Sequence, residues 1–363
     1  MCKKRIGVLF GGRSEEHEVS LISASSVIRA LDSEKFVPIY IGITRNGKWK
    51  KYDGPAEKIQ DGSWEETATD LEPGQLSEIV DFALPILHGP YGEDGCIQGF
   101  LETLGIPYGG CGVLASAVSM DKQLFKQLMK ENSLPVCGYI SFTRKEALKD
   151  LRKAALKVME AVGLPCFVKP ANMGSSVGIN KASTEEELIK ALKNACLYDD
   201  KVIAEEYIDG RELEIAAIGG EEPELTDIGE IIPSTEFYDY AAKYGGERHD
   251  IGIGNRERQY AKSSQLIIPA DIGEEIKMQI KSMAEKAYKA VGGYGFCRID
   301  FFLKEQTKDI YINEINTIPG FTGGSMFPLL WEHQGLNLRQ IIERIVDLGY
   351  ERDYIRNNRK TTI

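Results

Sequence analysis

The chain opens with short apolar runs alternating with amphipathic stretches. "RIGVLFGG" is an apolar run stopped by Gly11 and Gly12, and it predicts a first strand. Val19, Ile22, Val27, Ala30 and Leu31 then recur at helical spacing and predict a helix over about 15–31. "FVPIYIGIT" predicts a second strand and "VDFALPIL" a third. This alternation runs to about residue 115 and predicts a parallel sheet with helices on its faces. "MDKQLFKQLMKENSLP" follows as a helix closed by a proline just past its end. Residues 138–208 carry strand patterns at "GYISFT", "PCFVKP", "SVGINKA" and "VIAEEYI", with helical stretches near 145–162 and 184–196, which makes a compact α+β unit. "ELEIAAIGG" and "ELTDIGEIIP" read as antiparallel strands. Residues 233–265 are polar, dotted with glycine and without period, as functional loops often are. A helix over 272–291, a hairpin over 296–316 and a last helix over 336–347 complete the pattern.

Composition narrows the function more than the fold. The 363 residues carry a net charge of −11, so no basic surplus exists to neutralise a nucleic-acid backbone. An anionic ligand must be held by a few placed cations. The seven cysteines form no CxxC pair and no signal segment precedes them, which predicts free thiols in a reducing cytoplasm. No apolar stretch approaches the roughly 20 residues that span a bilayer.

Four constellations carry candidate chemistry. "FVKPANMGSSVGI" (167–179) is a strand, a glycine–serine turn and a strand; its backbone N–H groups suit phosphate oxygens, and Lys169 adds a point charge. An ordinary hairpin tip is the bland alternative. In "FCRIDFFLKEQTKDIYINEIN", Arg298 and Asp300 share one strand face, as do Glu314 and Asn316. Two carboxylates and an amide are hard oxygen donors suited to magnesium with phosphate, not to zinc. The histidines at 17, 88, 249 and 333 are too dispersed for a metal motif. "VIAEEYIDGRELEI" offers Glu205, the backbone from Glu206 to Ile208, and Glu212 for a nucleoside, although a solvated acidic strand end fits as well. In "GGRSEEHEVSLISA" and "LPILHGPYGEDGCIQGFLE", strands run into glycine turns and then helices. Glu15, Glu16, Glu93 and Asp94 there read either as partners of the helix dipole or as carboxylates for an ammonium group. His88 ends a buried strand, where a satisfied core histidine is the commoner outcome.

In this order the motifs resemble the ATP-grasp superfamily and, more closely, the D-alanine–D-alanine ligase family over essentially the whole chain. The pieces that carry the resemblance are "GGRSEEHEVSL", "LHGPYGEDGCIQG", "MDK", "VKPANMGSSVGI", "EEYIDGRELE", "EFYDYAAKY", "GFCRIDFF" and "NEINTIPGFT". The resemblance implies a three-domain ATP-grasp architecture. An N-terminal open parallel α/β substrate domain (1–115) would be followed by two α+β domains (116–212 and 213–363) clamping ATP, with 233–265 as a lid. It implies ATP-dependent joining of two D-alanine molecules through an acyl phosphate, for peptidoglycan precursors, with a D-serine or less readily a D-lactate acceptor as the alternative.

The resemblance also implies roles. Lys122, Lys169, Ser175, Ser176 and Lys243 would meet the nucleotide phosphates, while Glu205, Glu206, Tyr207, Ile208 and Glu212 would hold adenosine. Asp300, Glu314 and Asn316 would bind two magnesium ions, with manganese as a substitute. Glu16 would take the first ammonium and close the site with Ser175 and Tyr244, and His88 would lie near the first carboxylate. Arg298 and the Gly320 N–H would stabilise the oxyanion, and Ser325 and Met326 would meet the second substrate. Tyr244 speaks against lactate. A cytoplasmic homodimer is expected. Two departures from the family pattern are a long 245–265 segment and the pair Gly323–Gly324, which bears on acceptor choice.

Overall fold

The computed structural model describes residues 3–174, 177–233 and 264–360. They build three sheets. The first holds β1 (Lys4–Gly11), β2 (Phe36–Ile43), β3 (Trp49–Tyr52), β4 (Thr69–Asp70) and β5 (Phe82–Pro85), in the order β4-β3-β2-β1-β5. β1 pairs in parallel with β2 and β5, as the strand–helix alternation predicts. The sheet is nevertheless mixed, because β3 and β4 add antiparallel at one edge. Their short, polar runs carry too little apolar pattern to announce strands. β1 is buried on both faces: Ile6, Val8 and Phe10 pack with Leu21, Ala24 and Val27 of the helix His17–Ala30, whereas Leu9 packs with Ile41, Leu101 and Tyr108.

The second sheet holds β6 (Tyr139–Thr143), β7 (Cys166–Pro170), β8 (Asn180–Ala182) and β9 (Lys201–Glu206), in the order β6-β9-β7-β8. The stretch predicted as one helix over 145–162 is two, Arg144–Lys149 and Leu151–Val162. Asp150 breaks it and caps the second helix, its carboxylate accepting from the Lys153 N–H at 3.0 Å. β7 and β8 pair antiparallel, Val168 opposite Asn180, so 167–179 is the expected hairpin.

The third sheet holds β10 (Arg211–Gly219), β11 (Pro223–Pro233), β12 (Ser264–Ile267), β13 (Gly295–Leu303) and β14 (Ile310–Asn316), in the order β12-β11-β10-β13-β14. All its pairs are antiparallel. Leu213, Ile215, Ala217, Cys297, Ile299 and Phe301 face the helix Glu274–Val291 and bury against Ile280, Ala284 and Tyr288. The alternate residues, among them Glu214, Arg298 and Asp300, face the other way. The last helix runs Leu338–Asn357, ten residues past the expected end. Its far half is anchored by Arg352, whose guanidinium donates to the Tyr108 carbonyl at 3.0 Å and lies 4.0 Å from the Tyr108 ring centroid.

Candidate active site

The β7–β8 hairpin sets the first cations. Lys169, near the end of β7, places Nζ 2.7 Å from Glu205 Oε2 on β9. Lys126 is fully buried and approaches the other oxygen, its Nζ 3.2 Å from Glu205 Oε1 and 3.4 Å from Cys137 Sγ. Burial alone would raise the Glu205 carboxyl; Lys126 and then Lys169 overcome it and hold it at about 2. The sequence reading passed over Lys126. It stands one helical turn after Lys122 on the face that also buries Phe125 and Met129, and a lysine on such a face was the available signal. Lys122 donates from Nζ to the Met173 carbonyl in the hairpin turn at 2.7 Å, and its N–H bonds the Ala171 carbonyl at 3.1 Å. Burial lowers its ammonium pKa.

The adenosine candidates follow at the end of β9, just beyond it and at the start of β10. Glu206 is engaged throughout: its side chain accepts from the Gly138 N–H at 3.1 Å and meets Lys304 Nζ at 3.3 Å, and its own N–H donates to the Gly138 carbonyl at 2.9 Å. Tyr207 stacks loosely on Phe167, with Lys181 Nζ 4.2 Å from its centroid. Ile208 is buried, and Glu212 lies on β10 opposite Phe302.

The first-substrate side is built by the N-terminal helix and the turn after β5. Glu16 sits at the helix N-cap position without a side-chain cap bond, so its carboxylate is not used as a helix cap. It is buried, and a Cβ at Gly89 or Gly174 would collide with its Oε2. The hairpin turn and the Gly89 turn therefore close on the Glu16 carboxylate from two sides. Asp94 is a turn residue, accepting from the Tyr91 N–H at 2.8 Å and the Cys96 N–H at 3.0 Å.

His88 has both ring nitrogens engaged: Nδ1 is 2.9 Å from the Ile318 carbonyl and Nε2 is 3.0 Å from Ser23 Oγ. A carbonyl only accepts, so Nδ1 carries the proton and Nε2 accepts from Ser23. Burial drives the His88 pKa down to about 4, so the ring is neutral. Glu93 accepts from the Gly89 N–H at 2.9 Å. Burial, then the nearby Glu16 carboxylate, pushes it up to about 8.

These two groups fix a pH dependence. A histidine whose folded pKa is depressed contributes stability present above about 6.5 and lost as pH falls toward 4. A carboxyl whose folded pKa is raised contributes stability present below about 4.5 and lost as pH rises through 8. Melting temperature of the metal-free protein is therefore expected to fall as pH rises from about 6.5 to 8 and to level off above that, and Glu93→Gln to flatten the fall. A fall unchanged in Glu93→Gln removes the assignment.

The third sheet supplies the acidic cluster. Register places Asp300 opposite Glu314 and Arg298 opposite Asn316. Arg298 grips Asp300 with a fork, Nε to Oδ1 at 2.8 Å and Nη2 to Oδ2 at 2.7 Å. Asn316 Nδ2 donates to Asp300 Oδ2 at 3.0 Å. Two carboxylates and an amide on adjacent strands have the donor chemistry that suits a hard divalent cation.

The turn after β14 reaches back to the N-terminal helix, the Phe321 N–H lying 3.4 Å from Ser23 Oγ. Ser325 Oγ is tied to the Thr322 hydroxyl at 2.8 Å and abuts Gly320, where a Cβ would meet it at 2.7 Å. Met326 buries its side chain beside Gly229, leaving its backbone at the helix start for a ligand. Ser175, Ser176, Lys243, Tyr244 and nearly all of the 233–265 lid lie outside the described residues.

Comparison with known proteins agrees with this assembly. Residues 5–111 match the family described as D-ala D-ala ligase N-terminus, and residues 128–347 match D-ala D-ala ligase C-terminus. The D-alanine–D-alanine ligase of Acetivibrio thermocellus is 45% identical, with 96% of each chain covered. That of Bacillus cytotoxicus is 44% identical over the full length of both chains. Among solved structures, the VanG D-Ala:D-Ser ligase of Enterococcus faecalis superposes with a TM-score of 0.81 at 36% identity, covering 96% of this chain and 100% of that one. The D-alanine–D-alanine ligase of Coxiella burnetii gives 0.81 at 30% identity, covering 98% and 96%. A glycine–serine hairpin, an acidic hairpin and a buried glutamate at the start of the first helix thus occur together in a chain that belongs to the D-alanine–D-alanine ligase family, an ATP-grasp fold.

Proposed function

We propose that this site joins two D-alanine molecules using ATP, releasing ADP and phosphate, with Asp300, Glu314 and Asn316 holding two magnesium ions. The row formed by those residues with Arg298, its Glu314 near enough to act on both Glu93 and Lys122, is the observation that carries the reading. A carboxylate is a poor acylating agent, and phosphorylation by ATP makes it reactive. The transfer needs positioning and charge neutralisation more than covalent help. Lys122 and Lys169 supply two cations on the nucleotide side, and Glu205 holds Lys169 in place at 2.7 Å. Magnesium, when bound, neutralises charge on the phosphate oxygens.

Glu16 receives the ammonium of the first D-alanine, and the hairpin turn over it excludes water from the acyl phosphate. The free amine of the second D-alanine attacks the acyl carbon. Arg298 and the Gly320 N–H then stabilise the oxyanion, and phosphate leaves. Ser325 and the helix start at Met326 receive the second carboxylate, a favoured place for an anion. His88, being neutral and tied to Ile318 and Ser23, positions the loop rather than shuttling protons. The reading is completed by three units divided near 115 and 212, a cytoplasmic location and a homodimer, the last tested by sedimentation of the purified protein. No described helix is long and apolar enough to cross a membrane.

D-Serine as acceptor is the second reading. It is favoured by open space at Gly323 and Gly324, where a Cβ meets nothing within 4 Å, and it is the substrate named for the E. faecalis relative. The test incubates the purified protein with ATP, magnesium and single D-amino acids or pairs. ADP formation triggered by D-alanine alone, with the dipeptide found by mass, is the expected result. A mixed D-alanyl-D-serine product in excess at equal concentrations moves the assignment to the second reading.

A further inference from the structure

One buried carboxylate on the site face has no part in the scheme above. Glu214 on β10 lies opposite Asp300, which in turn lies opposite Glu314. Directly opposed residues share a sheet face, so three carboxylates form one row across β10, β13 and β14. Arg298 sits one step along, opposite Ala216 and Asn316, and the small Ala216 leaves room for the guanidinium to lean toward the row. Its Nε lies 3.1 Å from Glu214 Oε2 as well as 2.8 Å from Asp300 Oδ1. Glu214 is only 5% exposed. Burial works against the Arg298 charge, and Asp300 and then Glu214 outweigh it, raising its pKa well above the usual value.

The arrangement contains a conflict. Asp300 Oδ2 already accepts from Arg298 Nη2 and from Asn316 Nδ2, which engages both of its lone pairs. A divalent cation binding at Oδ2 must displace one of those donors. An arginine held by Asp300 alone would then lose its anchor at the moment the site is loaded. A second carboxylate 3.1 Å from Nε gives the guanidinium an anchor that does not depend on Asp300.

We infer that Glu214 is the positioning residue of Arg298: it retains the guanidinium at the acyl centre when Asp300 turns to the cation. Glu214 thereby lowers the competition between Arg298 and metal for Asp300. The inference rests on the metal and oxyanion roles proposed above.

The test is a double-mutant cycle with two readouts. Magnesium binding to the protein with ADP, followed by calorimetry, needs no turnover. kcat and KM for D-alanine are measured in parallel. In E214A, kcat is expected to fall about 10²-fold, the scale of losing one oxyanion donor. KM for ATP changes little, and magnesium binds about tenfold more weakly because Arg298 now clings to Asp300. E214Q, which keeps a polar oxygen within reach of the guanidinium, recovers most of kcat. In an R298A background E214A adds no further loss of kcat and no further weakening of magnesium.

Additive losses in R298A overturn the inference, because Glu214 would then act without Arg298. Abolished magnesium binding in E214A overturns it too, since Glu214 would be a ligand itself. So does a wild-type kcat in E214A. Should E214A fail to fold, E214L, which fills the space without an acceptor, carries the same cycle through magnesium binding. A wild-type protein that binds magnesium with ADP but turns over no D-alanine defeats the proposed function, and is distinguishable from every outcome above.

Discussion

Glu314→Ala is expected to lose D-alanine-dependent phosphate release by about 10³-fold or more while keeping its fold. The magnitude follows from removing one of the two carboxylates assigned to the cation, which supplies several kcal/mol of charge stabilisation at about 1.4 kcal/mol per factor of ten. Stability should change far less. In the metal-free protein Glu314 stands opposite Asp300, and its charge also supports those of Lys122, Lys169 and Arg298. Deleting it removes repulsion from Asp300 and attraction to these cations together, and the two offset. The melting temperature without magnesium should therefore stay close to that of the wild type, and the rise that magnesium and ADP give the wild type should be absent. Undiminished turnover in this variant would remove the metal assignment, and a collapsed melting temperature would show that Glu314 serves the fold.

Lys126→Ala carries the largest expected cost in stability. Lys126 and Glu205 are 1% and 3% exposed, with Nζ and Oε1 3.2 Å apart. Deleting one partner of a buried pair leaves an uncompensated charge, at a cost of about 3–5 kcal/mol. Lys169 remains at 2.7 Å from the other oxygen, which places the expectation at the low end of that range. The Glu205 carboxyl, held at about 2, contributes stability present above about 4.5 and lost as pH falls toward 2. Without Lys126 that contribution shrinks, so the variant should also unfold at a higher pH on acidification. Adding Glu205→Gln should recover only part of the loss, since Lys169 then lacks the carboxylate it holds at 2.7 Å. Denaturant titration of the single and double variants measures both effects. A Lys126→Ala protein as stable as the wild type would mean that water or another group has replaced the ammonium.

Because Lys126 lies in the same helix as Lys122, the damage should spread to function. Glu205 holds Lys169, and a Glu205 freed from Lys126 pulls harder on Lys169. ATP affinity should drop more than kcat, a split that separates nucleotide positioning from chemistry.

Some of this was legible along the chain. The apolar run before Gly11–Gly12 and the helical spacing after it determine a strand–turn–helix that delivers Glu16 to the end of a parallel strand. The hairpin at 167–179 was equally clear, since period-two runs flank a glycine–serine turn, and β7 pairs with β8 there. The edge strands β3 and β4 were not, because four and two residues carry no measurable period. Nor was the length of the final helix. Its last turns are mostly polar, and the Arg352 contacts with Tyr108 and Gly110 and the Arg356 pair with Glu102 hold the region to the body.

By itself the sequence determined the chemistry available: which oxygens, cations and glycine turns the chain owns, and the local periods that place them on strands or turns. The tertiary structure decided which of them meet. β14 is the clearest case. Strict alternation puts Glu314 on the same face as Ile310 and Ile312, in the core. A bulge opposite the Asp300–Phe301 step leaves Asn313 unpaired and reverses the phase. Ile310, Ile312 and Ile315 then bury together under the helix Glu274–Val291, while Glu314 and Asn316 swing to the side of Asp300. The pairings of Lys126 with Glu205 and of Glu214 with Arg298 are of the same kind. Their members stand 79 and 84 positions apart, and no local pattern can announce a charge whose partner arrives only when the sheets have closed.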